Sequence, residues 1–429
     1  MPRGIILAAP ASGSGKTVLT LAILRALKRR GLTVAGAKSG PDYIDPRFHE
    51  AACEQVSLNL DAWAMDGAGL RARATTDADL LVVEGAMGVL DGAGLAGHGS
   101  VADLAAALAL PIVLVIDASK TAHSAGLAVA GLTALRPDLM IAGVILNKVG
   151  SDRHAAMVRS AVEAAGYTVF GTVARSEALA LPERHLGLVQ AREHQEIERF
   201  LGNAASTVET NVDLDALVAA ADTVAPGHNT IPLAPLGQRI AIAHDDAFAF
   251  VYPHLLEDWR AQGAEVSLFS PLGDETPEAI ADAVYLPGGY PELYAGQLAA
   301  ASQFHAGMQA MAEKVLIYGE CGGFMVLGEQ LEDAQGRGHA MLGLLPLETS
   351  FRARKLSLGY RRIADQCGLL WHRELAAHEF HYATVTREGA ADRLFTATDA
   401  DGEILPMMGL RRGRVCGSFA HVIGQMPSV

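Results

Sequence analysis

Two α/β modules joined by a linker are what this sequence predicts, and three observations carry that expectation. Runs of Val, Ile and Leu alternate with helix-patterned stretches, glycine-rich turns follow several of the runs, and a proline-rich segment breaks the alternation near the middle. Continuous apolar strands separated by helices indicate parallel sheets covered on both faces. With 429 residues the chain is long enough for two or three domains, at roughly 100–200 residues each.

The elements follow in order. Residues 5–9 read as a short buried strand, and residues 18–30 have helical apolar spacing that ends at Gly31. Runs at 32–37, 80–83, 112–116 and 142–146 are bounded by Gly, Pro or Asp and read as further strands. Residues 221–237 hold three prolines and show no periodicity. The expected division is therefore a domain of 1–223, a linker of 224–238 and a domain of 239–429. Beyond the linker the alternation restarts, with strands at 239–243, 265–269, 284–286 and 315–318 and a helix at 252–262.

Composition narrows the function. Half the residues are hydrophobic, 19% are charged and the formal net charge is −14, which excludes a disordered chain. An acidic protein is a poor non-specific binder of nucleic acid or anionic membrane, so neither is expected as a partner. Cys53, Cys321, Cys367 and Cys416 are scattered without a CxxC pair, which argues against a disulfide framework and for a reducing compartment. The opening MPRGIILAAP lacks the pattern of a signal peptide. Residues 104–116 are too few to span a bilayer, and Pro111 breaks them. A cytoplasmic protein is expected.

The first chemistry-bearing segment is Ala9-Pro10-Ala11-Ser12-Gly13-Ser14-Gly15-Lys16-Thr17, between the first strand and the first helix. It is a P-loop with Pro10 in place of the leading glycine. Gly13, Ser14, Gly15 and Lys16 would cradle and neutralise phosphates, and Thr17 would hold Mg²⁺. Glu84, closing the 80–83 run, and Asp45 are candidate metal ligands. Lys38 is a further phosphate partner and Asn147 a reader of the adenine edge. Asp42 and Tyr43 in KSGPDYIDP are substrate candidates, although Pro41, Asp42, Asp45 and Pro46 also suit turn formation.

The second is Tyr318-Gly319-Glu320-Cys321-Gly322-Gly323, a strand-to-helix elbow that exposes a thiol. The helix start is expected to lower the Cys321 pKa. Gly322, with Gly289 of the turn Leu286-Pro287-Gly288-Gly289, would supply oxyanion amides. A thiolate needs a base: His421 in GSFAHVIG is the leading candidate, expected in a last α/β segment, with His378 and His381 of HEFHY as the others. The i, i+3 spacing of that pair also permits a metal site, but no third ligand cluster accompanies it.

Taken together, APASGSGKT, KSGPDYIDP, VVEGAMGVLDG, PGGYPELYA, YGECGGFMVLGE, HEFHY and GSFAHVIG resemble, in order and over essentially the whole chain, the cobyrinic/hydrogenobyrinic acid a,c-diamide synthase family. The resemblance implies a dethiobiotin-synthetase-like P-loop domain followed by a class I glutamine amidotransferase domain. It implies Cys321 as glutaminase nucleophile, His421 as its base, and Lys16, Thr17, Asp45 and Glu84 as the ATP and Mg²⁺ residues. The wider triad amidotransferases place a Glu two residues after the histidine, where this chain has Ile423. A Cys/His dyad and a slow glutaminase are the expectation.

That assignment implies ATP, L-glutamine and hydrogenobyrinic or cobyrinic acid as the reactants. ATP would convert each carboxylate into an acyl phosphate, and ammonia released at Cys321 would displace the phosphate. The basic stretch 351–362 contains Arg354 and Lys355, which are expected to hold peripheral carboxylates. A homodimer is the default expectation. Cobyric acid synthase and nickel-sirohydrochlorin a,c-diamide synthase are the rival enzymes. A partitioning ATPase fused to an inactive amidotransferase is the rival of a different class, disfavoured because Ala11 stands where such ATPases carry a signature lysine.

Overall fold

The computed structural model describes residues 2–176, 179, 183–184, 187–188, 196–227 and 232–427. The chain divides into two compact units, Met1–Thr230 and Ile231–Val429.

The first unit is built on a sheet whose strands are β1 (Arg3–Ala8), β2 (Val34–Ser39), β3 (Leu58–Leu60), β4 (Leu80–Glu84), β5 (Ile112–Asp117), β6 (Ile141–Val149) and β7 (Val169–Ala174), in the spatial order 3-2-4-1-5-6-7. All six pairings between them are parallel. The two-residue alternation of side chains explains why the strands are apolar throughout. Ile5 and Leu7 enter one core while Ile6 and Ala8 enter the other, and Val113 and Val115 are likewise separated from Ile112 and Leu114. Helix α1 (Lys16–Arg29) covers the first face through Leu19, Ile23 and Leu27. Asp222–Thr223 adds a short antiparallel pairing to β1.

This arrangement sends the C-terminal ends of β1, β2, β4 and β6 toward the loops that carry the P-loop, KSGPDYIDP, Glu84 and Asn147. Ligands of open parallel sheets bind at that edge. Helix α2 (Asp45–Cys53) follows β2 and starts where the Asp42 carboxylate accepts the amides of Ile44 and Asp45 at 2.7 and 3.1 Å. Asp45, Phe48, His49 and Ala52 form its buried face.

In the second unit five parallel strands run in the order Glu265–Phe269, Arg239–Ala243, Ala283–Leu286, Leu316–Glu320, Val415–Ser418. The sheet then continues antiparallel through Ile404–Arg412, Asp392–Thr398, Ser357–Asp365, Glu374–His381 and Ala420–Gln425. The pairing path thus leaves from Val415–Ser418 and returns to Ala420–Gln425, two strands separated only by Phe419. The last segment, expected as α/β, is antiparallel instead. Several of its strands, such as Ser357–Asp365, mix polar with apolar residues and so lack the signal that marked the parallel part.

Candidate functional site

At the nucleotide face, Gly15 adopts φ +88°, and a Cβ there would sit 2.3 Å from Asn147 Nδ2. The Asn147 amide donates to Ser14 O at 2.9 Å, and Lys148 Nζ donates to Gly13 O at 2.6 Å and pairs with Asp117 at 2.8 Å. Asn147, expected to read adenine, is engaged with the phosphate loop itself. Ser14 is buried, with its hydroxyl donating to Ala11 O. Lys16 Nζ donates to Met87 O at 2.5 Å, and burial together with Lys38 lowers its pKa.

Glu84 is wholly buried. Its Oε1 accepts from Thr17 Oγ1 at 2.5 Å and from Lys38 Nζ at 2.8 Å, and its Oε2 meets His49 Nε2 at 2.7 Å. Lys38 also donates to Asp45 Oδ2 at 2.5 Å. Against the desolvation of burial, Asp45 and Glu84 push the Lys38 ammonium above its ordinary value. Against the same desolvation, Lys38 and His49 hold Glu84 well below the usual carboxylate range.

Lys38, expected to neutralise phosphate, is ion-paired with these two acidic side chains. A magnesium ion takes one or two protein oxygens and completes its shell with phosphate and water. Thr17 and Glu84 lie together as such donors, and both Glu84 and Asp45 are ion-paired with Lys38, so a bound ion would compete with that ammonium for either carboxylate. Among the described residues no group of three or more His, Cys, Asp or Glu side chains is arranged to hold a metal ion.

His49 was invisible to motif reading. Its Nδ1 lies 3.1 Å from Ser57 Oγ, so it ties β4 to the segment before β3. The available signal was its place four residues after Asp45, on one face of a helix. Asp42 serves the turn before α2, with Tyr43 half-buried beside it.

At the thiol elbow, Cys321 has φ 45°, ψ −101° and precedes a helix of only six residues, Gly322–Leu327. Its amide donates to Ser418 O at 2.8 Å, across the ladder that pairs Glu320 with Ser418. Three residues on, His421 pairs with His378 in the antiparallel ladder. The crossing at Phe419 therefore carries His421 from the Cys321 strand to the HEFHY strand. Gly288 lines the imidazole so closely that a Cβ would stand 2.3 Å from His421 Cε1. A Cβ on Gly322 would stand 3.0 Å from Gly289 N, so the two expected oxyanion residues are neighbours.

The electrostatics differ from expectation. Burial, reinforced by Glu292, pushes the Cys321 thiol up, and the Gly322 amide offsets this only in part. A six-residue helix start does not overcome desolvation. Burial, with His378 and His381, pushes His421 down to about 3. Burial thus favours the neutral thiol at Cys321 and the neutral imidazole at His421. His381 bonds Glu379 at 3.0 Å and stacks on Phe419 at 4.0 Å between ring centroids. Arg361 pairs with Glu379 at 2.8 Å. Arg354 and Lys355 lie on an exposed stretch outside any strand.

Lys38→Met is expected to remove the main counter-ion of the buried Glu84 carboxylate, while burial and Asp42 already push Asp45 toward its neutral form. The substitution should destabilise the protein by about 3–5 kcal/mol, measurable by urea unfolding followed by tryptophan fluorescence. Gly288→Ala should displace His421 and reduce glutamine-driven activity by at least about tenfold. A steady-state assay with ammonium salt in place of glutamine would leave that variant near wild type.

Comparison with known proteins follows the same two-part division. Residues 5–189 match the CobQ/CobB/MinD/ParA nucleotide binding domain, and residues 239–427 match the CobB/CobQ-like glutamine amidotransferase domain. A hydrogenobyrinate a,c-diamide synthase of Brucella anthropi is 56% identical over 432 residues, covering 98% of both chains. Synthases of the same name from Rhizobium meliloti and Mesorhizobium japonicum are 53% and 49% identical, covering 98% and 99% of this chain and 99% of each of theirs. The chain therefore belongs to the hydrogenobyrinate a,c-diamide synthase family, as a glutamine-dependent amidating ligase.

Proposed function

We propose that this protein amidates the a and c carboxylates of hydrogenobyrinic acid, the metal-free macrocycle, using ATP and glutamine. The observation that carries the reading is end-to-end similarity to synthases of that name, in a chain that holds both a phosphate loop and a thiol elbow. Cobyrinic acid is the second candidate substrate, and the names of the relatives favour the metal-free ring.

A carboxylate does not condense with ammonia unaided, because oxide is a poor leaving group. In the first unit the P-loop amides and Lys16 bind the phosphates, and release of Lys16 from Met87 O frees its ammonium for that task. Thr17 and Glu84 are the residues that would hold Mg²⁺, which supplies neutralising charge to the transferring phosphoryl group. A substrate carboxylate oxygen takes the γ-phosphoryl group, giving an acyl phosphate and ADP. Asp42 and Tyr43 border this face, and Arg354 and Lys355 are proposed to meet peripheral carboxylates.

In the second unit Cys321 gives its proton to His421 and attacks the glutamine amide carbon. The Gly289 and Gly322 amides would receive the oxyanion. His421 returns the proton to the departing nitrogen, leaving ammonia and a thioester that water hydrolyses to glutamate. Ammonia then displaces phosphate from the acyl phosphate and forms the amide. The neutral resting state of both groups supports a glutaminase that is slow until substrate binding changes its surroundings.

Mass spectrometry of hydrogenobyrinic acid and, separately, cobyrinic acid after incubation with protein, ATP, Mg²⁺ and glutamine tests the reading. Two carboxyl-to-amide conversions on the metal-free ring are expected. Cys321→Ala should lose glutamine-driven conversion by at least about 10³-fold and regain it with ammonium salt. ATP hydrolysis without conversion of either ring would overturn the corrinoid assignment.

A further inference from the structure

Position 423 offers His421 no carboxylate, yet another one is close. Glu320 Oε2 lies 3.9 Å from His421 Nδ1, and each residue is 1% exposed. Glu320 immediately precedes Cys321, so the strand that presents the thiol also fixes this carboxyl group. Three donors orient it: Tyr285 Oη at 2.7 Å, Tyr318 Oη at 3.0 Å and the Val422 amide at 3.1 Å. The last belongs to the residue after His421, so the carboxyl is keyed to the backbone that carries the imidazole. All three donors are uncharged.

We infer that Glu320 is the positioning carboxylate of the glutaminase site, reaching His421 from the strand before the nucleophile in place of a residue downstream of the histidine. The inference rests on the Cys321–His421 reading above. When the Cys321 proton moves to His421, an imidazolium forms in a buried pocket, where an isolated charge is costly. A carboxylate beside Nδ1 offsets that charge, and a displacement of about 1 Å brings the pair to hydrogen-bond distance. Burial raises Glu320 to about 7 against the pull of its donors. The working form is the carboxylate, so glutaminase activity should climb as pH rises through that value.

Other groups face the same pocket and are separable. His378 and His381 act on His421, while Glu292, Glu320 itself and Glu379 all raise Cys321, so the Glu320 charge that favours the imidazolium also opposes the free thiolate. Burial raises Glu292 to about 7 as well, so it is the main competitor for an acid limb. His421 itself, near 3, lies below the window.

The test is the pH profile of glutaminase kcat and KM on the full-length protein, over about pH 5.5 to 8.5. Wild type should show an acid limb near pH 7. Glu320→Gln keeps one acceptor oxygen, for Tyr318 and the Val422 amide, and turns the other into an NH2 that the Tyr285 hydroxyl can accept; it cannot carry charge. It should lower kcat about 100-fold, abolish the limb, change KM for glutamine by less than about twofold and retain ammonia-driven amidation. Glu320→Asp should restore part of kcat and shift the limb.

A Glu320→Gln protein with wild-type kcat and an unmoved limb overturns the inference. So does a limb that disappears in Glu292→Gln or His381→Gln instead. If Glu320→Gln also loses ammonia-driven amidation, Glu320→Asp decides: a displaced limb supports the inference and an unmoved one overturns it. Failure of the underlying reading is distinct, because Cys321→Ala would then keep its glutaminase.

Discussion

Glu84 sits wholly buried at the end of a central strand, and the order of the nucleotide face follows from keeping that one carboxylate compensated. Lys38 from the neighbouring strand, His49 from α2 and Thr17 from α1 each meet one of its oxygens. Three elements, consecutive in the chain, are thereby held together around the phosphate loop. An unpaired carboxylate at that depth would cost several kcal/mol, so the cluster forms together or not at all. Lys38 serves as an internal counter-ion, which leaves Lys16 and Lys148 as the cations next to the phosphate loop.

Burial has the opposite effect in the second unit. It compensates nothing at Cys321 and His421, and leaves both uncharged. For an enzyme that splits glutamine, that is a way of not wasting it. Under the proposed role, the Cys321 thiol would become a nucleophile only where the surrounding charge is rearranged.

Most parallel strands of each unit were legible because buried parallel strands are apolar without interruption, as at Val113, Leu114 and Val115, whereas the edge strands Leu58–Leu60 and Val169–Ala174 were not read. Strand ends shifted by up to three residues, with 239–243 and 265–269 unshifted, since propensity does not mark where a ladder stops. The antiparallel strands of the second unit were not legible beyond a basic stretch, because half-exposed strands such as Ser357–Asp365 carry polar side chains on the wet side. Lys16, Thr17 and Glu84 were identified by pattern, and the structure gathers them. What pattern reading missed were partners: Lys38 with two acids, Asn147 with its own loop, and Glu320 with His421. Motif spacing reports which backbone turns are present, whereas a buried charge chooses its partner through the packing of distant elements.

The crossing at Phe419 has one more consequence. Val415–Ser418 and Ala420–Gln425 pair with strands at opposite ends of one antiparallel path, so their registers are coupled through every strand between. Side chains in a strand alternate faces with a period of two. A single inserted or deleted residue near Phe419 would turn His421 away from Cys321, however conservative its chemistry. The exposed turn at Asp401 and Gly402 carries no such coupling. Length variation in this part of the chain should therefore accumulate at that turn and be excluded a few residues later, so the spacing between Cys321 and His421 is free to drift while the spacing across Phe419 is not.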